Sequence, residues 1–252
     1  MIQKIEGSML RDKFKAFAVH LSLSALVGLV CAFIIYKVWF IAPLEIATKI
    51  TPIFLMMVGI DIVVGPLLTF LVYKKGKKTL KFDLSVIVII QCIALIYGVF
   101  NIYQSRPLWI AFDQDSFYLV RANEVDLESE KKAAVAYQSR IVSKPQFVSV
   151  KRPDIETQKG KELRFYDFMG MNLAVKKPEL YDSMNNARQA LSAQAFALQD
   201  LETYNANTSL ILSKYPQADA FLPLKTNVID MTVLINKEKG EVVKIVDLRP
   251  GK

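Results

Sequence analysis

The sequence has little of the chemistry on which most enzymes depend. Its 252 residues include a single histidine, His20, which lies within a long apolar segment. A histidine-based catalytic triad or metal cluster is therefore excluded from the rest of the chain. CxxC, Walker, GxGxxG and GxSxG patterns are also absent. With no nucleophile–base pair or metal constellation to assemble, we predict no enzymatic activity, no cofactor and no metal.

Cysteine is nearly absent as well. Cys31 and Cys92 both lie in apolar segments, and the chain has no cysteine after residue 103. The C-terminal part must therefore be stable without disulfides, even in an oxidising compartment. Its length of about 150 residues is enough for a hydrophobic core of its own.

What the chain does contain is long apolar segments. Residues 17–40, 51–73 and 84–103 are almost free of charge; Lys37 and Asp61 are the exceptions. Each segment has about the 20 residues that a helix needs to cross a bilayer core of roughly 30 Å. We predict three transmembrane α-helices.

A cleaved signal peptide is the alternative for the first segment, because a basic flank precedes it. Its apolar run exceeds the roughly 7 to 15 residues of a signal-peptide core. No small-x-small cleavage pattern follows it. We therefore expect this segment to remain as a span.

The net charge of +8 is distributed unevenly. Residues 1–103 contain 11 Lys or Arg against 5 Asp or Glu, whereas residues 104–252 contain 21 against 19. Most of the excess lies in the apolar half, which disfavours a nucleic-acid-binding surface. Five lysines fall within eight positions between the second and third spans: Lys74, Lys75, Lys77, Lys78 and Lys81.

These lysines predict the orientation of the chain. Short loops rich in Lys and Arg remain in the cytoplasm. We therefore place the N-terminal segment 1–16 and the loop 74–83 inside, and residues 104–252 outside. Binding of nucleic acid or regulatory lipid by the lysine loop is the weaker alternative.

The C-terminal domain, residues 104–252, alternates apolar and polar residues. We predict two strands, or one bent strand, around the turn-prone DQDS, further strands in AAVAYQSRIV and QFVSV, and a C-terminal hairpin around KEKG. Residues 121–132 and 151–160 are interpreted as polar loops.

Residues 178–205 have apolar side chains near helical spacing and begin with proline, which suits a first helical turn. The predicted fold is thus three transmembrane α-helices followed by an exported α+β domain with a small, mostly antiparallel sheet and one long helix.

The acidic pair Asp113 and Asp115 is a candidate metal site, because residues two apart on a strand face the same side. Further acidic ligands are not nearby in the sequence. A solvated turn is the preferred interpretation.

Asp61 is a charged residue inside the second predicted span, where an ionised side chain is energetically costly. An ionised carboxylate near mid-bilayer costs several kcal/mol unless it is paired or hydrated. Pro66 allows a helix kink, and Gly65 and Thr69 lie on the same helical face as Asp61. These four residues form a candidate partner-binding site, together with Gln91, which lies at about the same depth on the third span.

The first span carries a stripe of small residues behind His20, at Ser24, Gly28 and Ala32, which suits close helix packing. Two roles for Asp61 remain open. It forms an internal hydrogen bond to Gln91 or Ser24, or it contacts a cation or a polar group on a transmembrane partner.

The segments GIDIVVGPLLTFLVYKKGKKTLKFDLSVIVIIQ and YGVFNIYQSRPLWIAFDQDSFYLV, with three spans before an exported domain, resemble the type IV pilin accessory proteins. This is the TfpX/TfpZ group, which is related to the fimbrial assembly protein FimB. The resemblance is specific between residues 14 and 120. Ser116 is a departure, since the family usually has arginine there.

The resemblance implies a non-enzymatic protein of the bacterial inner membrane with a periplasmic C-terminal domain. It implies a chaperone that binds the transmembrane helix and periplasmic head of a type IV pilin and promotes pilus assembly. Membrane lipid is the other expected partner, and no nucleic acid is expected; the oligomeric state stays open. A membrane-anchored sensor or regulator and a small transporter subunit are the alternatives.

Overall fold

The chain forms two units. The computed structural model describes residues 2–251, so Met1 and Lys252, the outer ends of the predicted N-terminal segment and C-terminal domain, lie outside the described residues. A helical unit comprises residues 2–37 and 50–103, and a sheet unit comprises residues 38–49 and 104–251. The connection between the first two apolar segments, residues 38–49, is thus part of the sheet unit.

Among the residues that the structure describes, three stretches of helix are long and apolar enough to cross a membrane: Met9–Trp39, Ile50–Val72 and Leu80–Gln104. The predicted spans are confirmed, and the first begins earlier than expected. The helices of this half are α1 (Ile2–Ile34) with a following π turn (Ile35–Trp39), α2 (Leu44–Thr48), α3 (Ile50–Gly59), a π turn (Ile60–Val64), α4 (Gly65–Val72) and α5 (Leu80–Gln104).

Large apolar side chains cover the outside of the helical unit. Leu29, Leu71 and Ile96, one on each span, are 69%, 70% and 68% exposed. A continuous apolar exterior of this kind is unfavourable in water and suits lipid hydrocarbon. The burial pattern therefore agrees with a membrane protein.

The sheet unit is built on eight strands: β1 (Pro107–Asp113), β2 (Ser116–Arg121), β3 (Gln146–Val150), β4 (Tyr181–Asp182), β5 (Phe196–Ala197), β6 (Ala220–Lys225), β7 (Met231–Asn236) and β8 (Glu241–Val246). Their order is β4-β3-β1-β2-β6-β7-β8, with β5 also paired to β6. Between residues 2 and 251, only β1–β3 and β2–β6 are parallel pairs. The mostly antiparallel sheet is confirmed.

Alternation along the strands gives the sheet two buried faces. Leu222 and Val233 pack on one face with Leu44 and Ala47 of α2. Phe221 and Leu234, each one residue away along its strand, pack on the other face against the segment around Leu201. The period of two therefore places a core on each side.

The other helices of the sheet unit are short. They are α6 (Leu127–Lys132), α7 (Gln158–Phe168), α8 (Arg188–Gln194), α9 (Thr208–Leu212) and the 3₁₀ turns Ala122–Glu124, Val135–Tyr137, Leu173–Lys176, Pro178–Leu180, Met184–Ala187 and Leu198–Thr203. The longest of them is α7, of 11 residues. The predicted polar loops 121–132 and 151–160 are thus partly helical.

The helix predicted over residues 178–205 is wrong. The segment breaks into 3₁₀ turns, α8 and two short strands. The Asp182 carboxylate accepts hydrogen bonds from the backbone N–H of Ser183 and from Asn186, and such local bonds compete with a helix. Leu191 and Leu201 are buried on opposite faces of the sheet, which one straight helix cannot achieve.

Most of the predicted strands are present. The turn at DQDS, the strand QFVSV and the C-terminal hairpin are confirmed. AAVAYQSRIV forms no strand and contains only a 3₁₀ turn. β6 was not predicted; it contains Pro223, a residue that is unusual inside a paired strand.

Candidate functional site

Asp61 lies in an interruption of the second span. Residues Ile60–Val64 form a π turn directly before Gly65 and Pro66. In a π turn each carbonyl accepts from the residue five positions on. For Asp61 that residue is Pro66, which has no backbone N–H. The backbone carbonyl of Asp61 therefore needs a donor from elsewhere.

Gln91 on α5 supplies this donor. Its side-chain Nε2 donates to the backbone carbonyl of Asp61 at 3.1 Å. Gly65 makes the contact possible, because a Cβ at that position would collide with the amide group of Gln91. The expected pairing of Asp61 with Gln91 therefore exists, with the backbone of Asp61 as acceptor.

The Asp61 carboxylate itself is 8% exposed, and its Oδ2 atom has no hydrogen-bond partner among the described residues. The same holds for Oε1 of Gln91. Both side chains line a cavity of about 180 Å³ with residues of all three spans, including Ser24, Gly28 and Leu95. Two buried hydrogen-bond acceptors thus border a mostly apolar space, to which His20 and Ser24 add polar groups.

A second polar contact joins the first and second spans. His20 Nδ1 and Thr69 Oγ1 are hydrogen-bonded at 2.6 Å, and Thr69 is 4% exposed. Further along the first span, a Cβ on Gly28 would lie 3.1 Å from Val58, so glycine permits close helix packing there. Ser24 and Ala32, predicted in the same stripe, are half-buried.

Four of the predicted topology lysines lie in the exposed connection between α4 and α5, and Lys81 lies in the first turn of α5. Lys75 pairs with Asp12 of α1 at 3.1 Å, and Lys77 pairs with Asp83 at 2.7 Å. Lys74, Lys78 and Lys81 are exposed. Exposed ion pairs of this kind contribute little to stability, so the lysines are mainly a charged surface.

In the sheet unit, Asp113 of the candidate metal pair is instead part of an ion pair. Asp113 is 4% exposed and accepts two hydrogen bonds from Arg152, at 2.7 and 2.5 Å; Arg152 also bonds Asp167. Hydrogen bonds to the carboxylates of Asp113, which has the larger effect, and of Asp167 raise the pKa of Arg152 above its usual range. The solvated-turn interpretation is wrong for Asp113, which is a buried ion-pair partner.

Comparisons with known proteins bear on the whole chain. The family model described as fimbrial assembly protein FimB matches residues 8–47. A fimbrial assembly protein of serogroups C1 and C2 from Dichelobacter nodosus is 33% identical over 121 residues, which cover 92% of that protein and 47% of this chain. The chain belongs to the FimB fimbrial assembly protein family.

Two further family members from Dichelobacter nodosus match most of the chain. The serogroup E1 fimbrial assembly protein is 28% identical and the serogroup I protein 26% identical. Each alignment covers 84% of this chain and 86% of the relative. No solved structure matches the chain. The resemblance noted in the sequence is thus confirmed.

The structure also locates the part of the chain that matches the FimB model. Residues 8–47 include most of α1 and the connection that enters the sheet unit. Sequence reasoning missed this connection as a structural element, because IAPLEIATK is short and nearly neutral. The signal in the sequence that could have revealed this element is the spacing of Leu44 and Ala47, which are both fully buried.

Proposed function

We propose that the protein is an accessory protein of the bacterial inner membrane, a non-enzymatic chaperone that binds a cognate type IV pilin and promotes its assembly into pili. Family membership supports the role in pilus assembly, since the similar proteins are named fimbrial assembly proteins. The single observation that carries pilin binding is the three-helix cavity with its unpartnered acceptors.

The cavity suits a transmembrane helix that carries a hydrogen-bond donor. A buried acceptor without a partner costs free energy in hydrocarbon, so a donor from a bound helix stabilises the complex. Apolar side chains such as Leu23, Val88 and Leu95 line the rest of the cavity and can pack against the same helix. In this proposal Asp61 and Gln91 contact the pilin, while Gly65, Pro66 and Thr69 shape the site.

The proposed orientation has the N-terminus in the cytoplasm and the sheet unit in the periplasm, where pilin heads lie. The lysine-rich connection supports it through the positive-inside rule. Packing of α2 into the sheet core supports the number of crossings and does not distinguish their direction. Because α2 follows the first span and the sheet follows the third, both lie on the same side of the membrane if all three helices cross it.

Site-specific photo-crosslinking in piliated cells tests the pilin-binding site. A photoreactive phenylalanine analogue replaces Ser24 or Leu95, which line the cavity and are half-buried, and Leu29, which is 69% exposed, serves as the lipid-facing control. We expect a crosslink to the pilin from the two cavity positions and none from the control. Equal yields at all three positions, or none at any, would contradict a binding cavity.

The role of Asp61 is tested in the same assay with Asp61→Asn and Asp61→Leu. Leucine removes the acceptor, so we expect capture to fall, whereas asparagine keeps one acceptor oxygen and retains part of it. Unchanged capture with both variants removes Asp61 from the site and leaves the chaperone proposal intact. Normal piliation after deletion of the gene, with the cognate pilin present, counts against the proposal itself.

A further inference from the structure

The loop at residues 139–145 presents an apolar tip between two cations. Ile141 and Val142 are 67% and 73% exposed, and Arg140 and Lys144 on either side of them are exposed too. The loop contains no acidic residue. Two neighbouring aliphatic side chains between two cations match a surface that is apolar at its centre and anionic at its rim.

The loop has a defined conformation. Ser139 donates its backbone N–H to the carboxylate of Glu130 at 2.6 Å. Ser143 closes a turn by donating its backbone N–H and its hydroxyl to the carbonyl of Arg140. Both bonds direct the chain around the tip, so the exposure of Ile141 and Val142 is a feature of an ordered turn.

Trp39 links this tip to the end of the first membrane-type stretch. Its indole Nε1 donates to the backbone carbonyl of Ile141 at 3.1 Å. Trp39 is also the last residue of the first membrane-type stretch, Met9–Trp39. Trp39 is packed in protein, at 7% exposed, and marks the depth at which this stretch ends. A residue hydrogen-bonded to it lies at nearly the same depth.

We propose that the 139–145 loop is a membrane-interface anchor of the sheet unit. Ile141 and Val142 enter the boundary between headgroups and acyl chains, and Arg140 and Lys144 contact anionic headgroups. We assign this surface to the bilayer that the spans cross, because the tip is hydrogen-bonded to Trp39, the last residue of the first membrane-type stretch. This inference does not depend on pilin binding or on the orientation of the chain.

Depth-dependent quenching in proteoliposomes tests the anchor. The full-length chain with Cys31→Ala and Cys92→Ala carries an environment-sensitive fluorophore at Val142→Cys, in vesicles of phosphatidylglycerol and phosphatidylcholine with a spin label near the headgroup. The matched control is Leu210→Cys on α9, which is 65% exposed and lies on the sheet face opposite α2. We expect a blue shift and loss of emission at position 142 and neither at position 210. The same emission and quenching at both positions would overturn the proposal.

A second comparison tests the two cations. Arg140→Gln with Lys144→Gln is expected to reduce the quenching at position 142 in anionic vesicles and to leave it unchanged in pure phosphatidylcholine. Emission from position 210 in the same background reports whether the sheet unit has kept its structure. Equal quenching with and without the two cations would overturn the headgroup contact.

Discussion

The backbone N–H of Ile229 donates to the carbonyl of Ala47 at 3.2 Å. Ala47 belongs to α2, between the first and second spans, and Ile229 belongs to the loop between β6 and β7. A segment that leaves one span and enters the next is therefore hydrogen-bonded into the sheet unit. Ala47 is fully buried there, in the core that includes Leu44 and Leu222.

Substitution of Ala47→Leu tests this packing. Additional methyl groups in a filled core displace their neighbours, at a typical cost of about 1–3 kcal/mol. We expect the sheet unit of the full-length chain in detergent to unfold at lower urea concentration, measured by near-ultraviolet circular dichroism. The control is Ile46→Leu, since Ile46 is 42% exposed. Equal midpoints for the two variants would show that α2 does not stabilise the core.

Substitution of Gly65→Ala tests the contact between the second and third spans. The new Cβ displaces the amide of Gln91, the movable end of a flexible side chain, from the carbonyl of Asp61. The expected cost is that of leaving this acceptor unpaired, about 1–3 kcal/mol. The measurement is unfolding of the detergent-solubilised chain in increasing dodecyl sulfate.

Gly59→Ala is the matched control for this variant. Gly59 lies in the same span with helical φ and ψ, and nothing approaches the position of its Cβ within 4 Å. Alanine there is expected to be neutral or slightly stabilising, because it has the higher helix propensity. An unfolding curve for Gly65→Ala that matches that of Gly59→Ala contradicts the predicted collision.

Substitution of Arg152→Ala leaves the carboxylate of Asp113 buried without its cation. Loss of one partner of a buried ion pair typically costs about 3–5 kcal/mol. We expect the sheet unit to lose stability on that scale in urea unfolding. Lys131→Ala is the control, because Lys131 and its partner Glu128 are 71% and 74% exposed. Asp113→Asn added to Arg152→Ala is expected to restore part of the loss; no recovery would argue against an uncompensated charge.

Glu124 predicts a pH dependence of stability. Burial raises its pKa, but hydrogen bonds from Arg121 and Asn227 outweigh this effect, and the pKa lies below its ordinary value. A lowered folded-state pKa contributes stability above the unfolded pKa of about 4.3. That contribution is lost as the pH falls through the folded-state value.

Glu124→Gln is therefore expected to lower the free energy of unfolding at pH 7 by about 1–3 kcal/mol. The difference from the parent chain should shrink below about pH 4. This difference in the free energy of unfolding is measured by urea titrations between pH 3 and pH 7. About 0.15 M salt is included to screen distant charges. A difference that stays constant over this range would show that Glu124 does not cause the dependence.

The proposed orientation is tested by cysteine labelling. In the Cys31→Ala, Cys92→Ala background, single cysteines replace Lys78 in the lysine connection and Lys237 in the turn between β7 and β8, both exposed. A membrane-impermeant maleimide added to spheroplasts should label position 237 and leave position 78 unlabelled until the cells are lysed. The reverse pattern would place the sheet unit in the cytoplasm.

The sequence predicted the candidate site in outline only. Asp61 and Gln91 were matched by depth, since helical rise is regular and residue counts convert to distance. The atoms that meet could not be predicted, because the π turn shifts the hydrogen-bond register and makes the Asp61 carbonyl the acceptor of the Gln91 bond. Arg152, which is 39 residues from Asp113, gave no local signal.

The three apolar helices, the C-terminal hairpin and the family resemblance could be predicted from the sequence, because long apolar runs and period-two alternation are local patterns. Only the tertiary structure decided that α2 joins the sheet core and that residues 178–205 divide between two faces of the sheet. The physical reason is that apolar side chains at a given spacing must be buried, but long-range strand pairing determines which surface buries them.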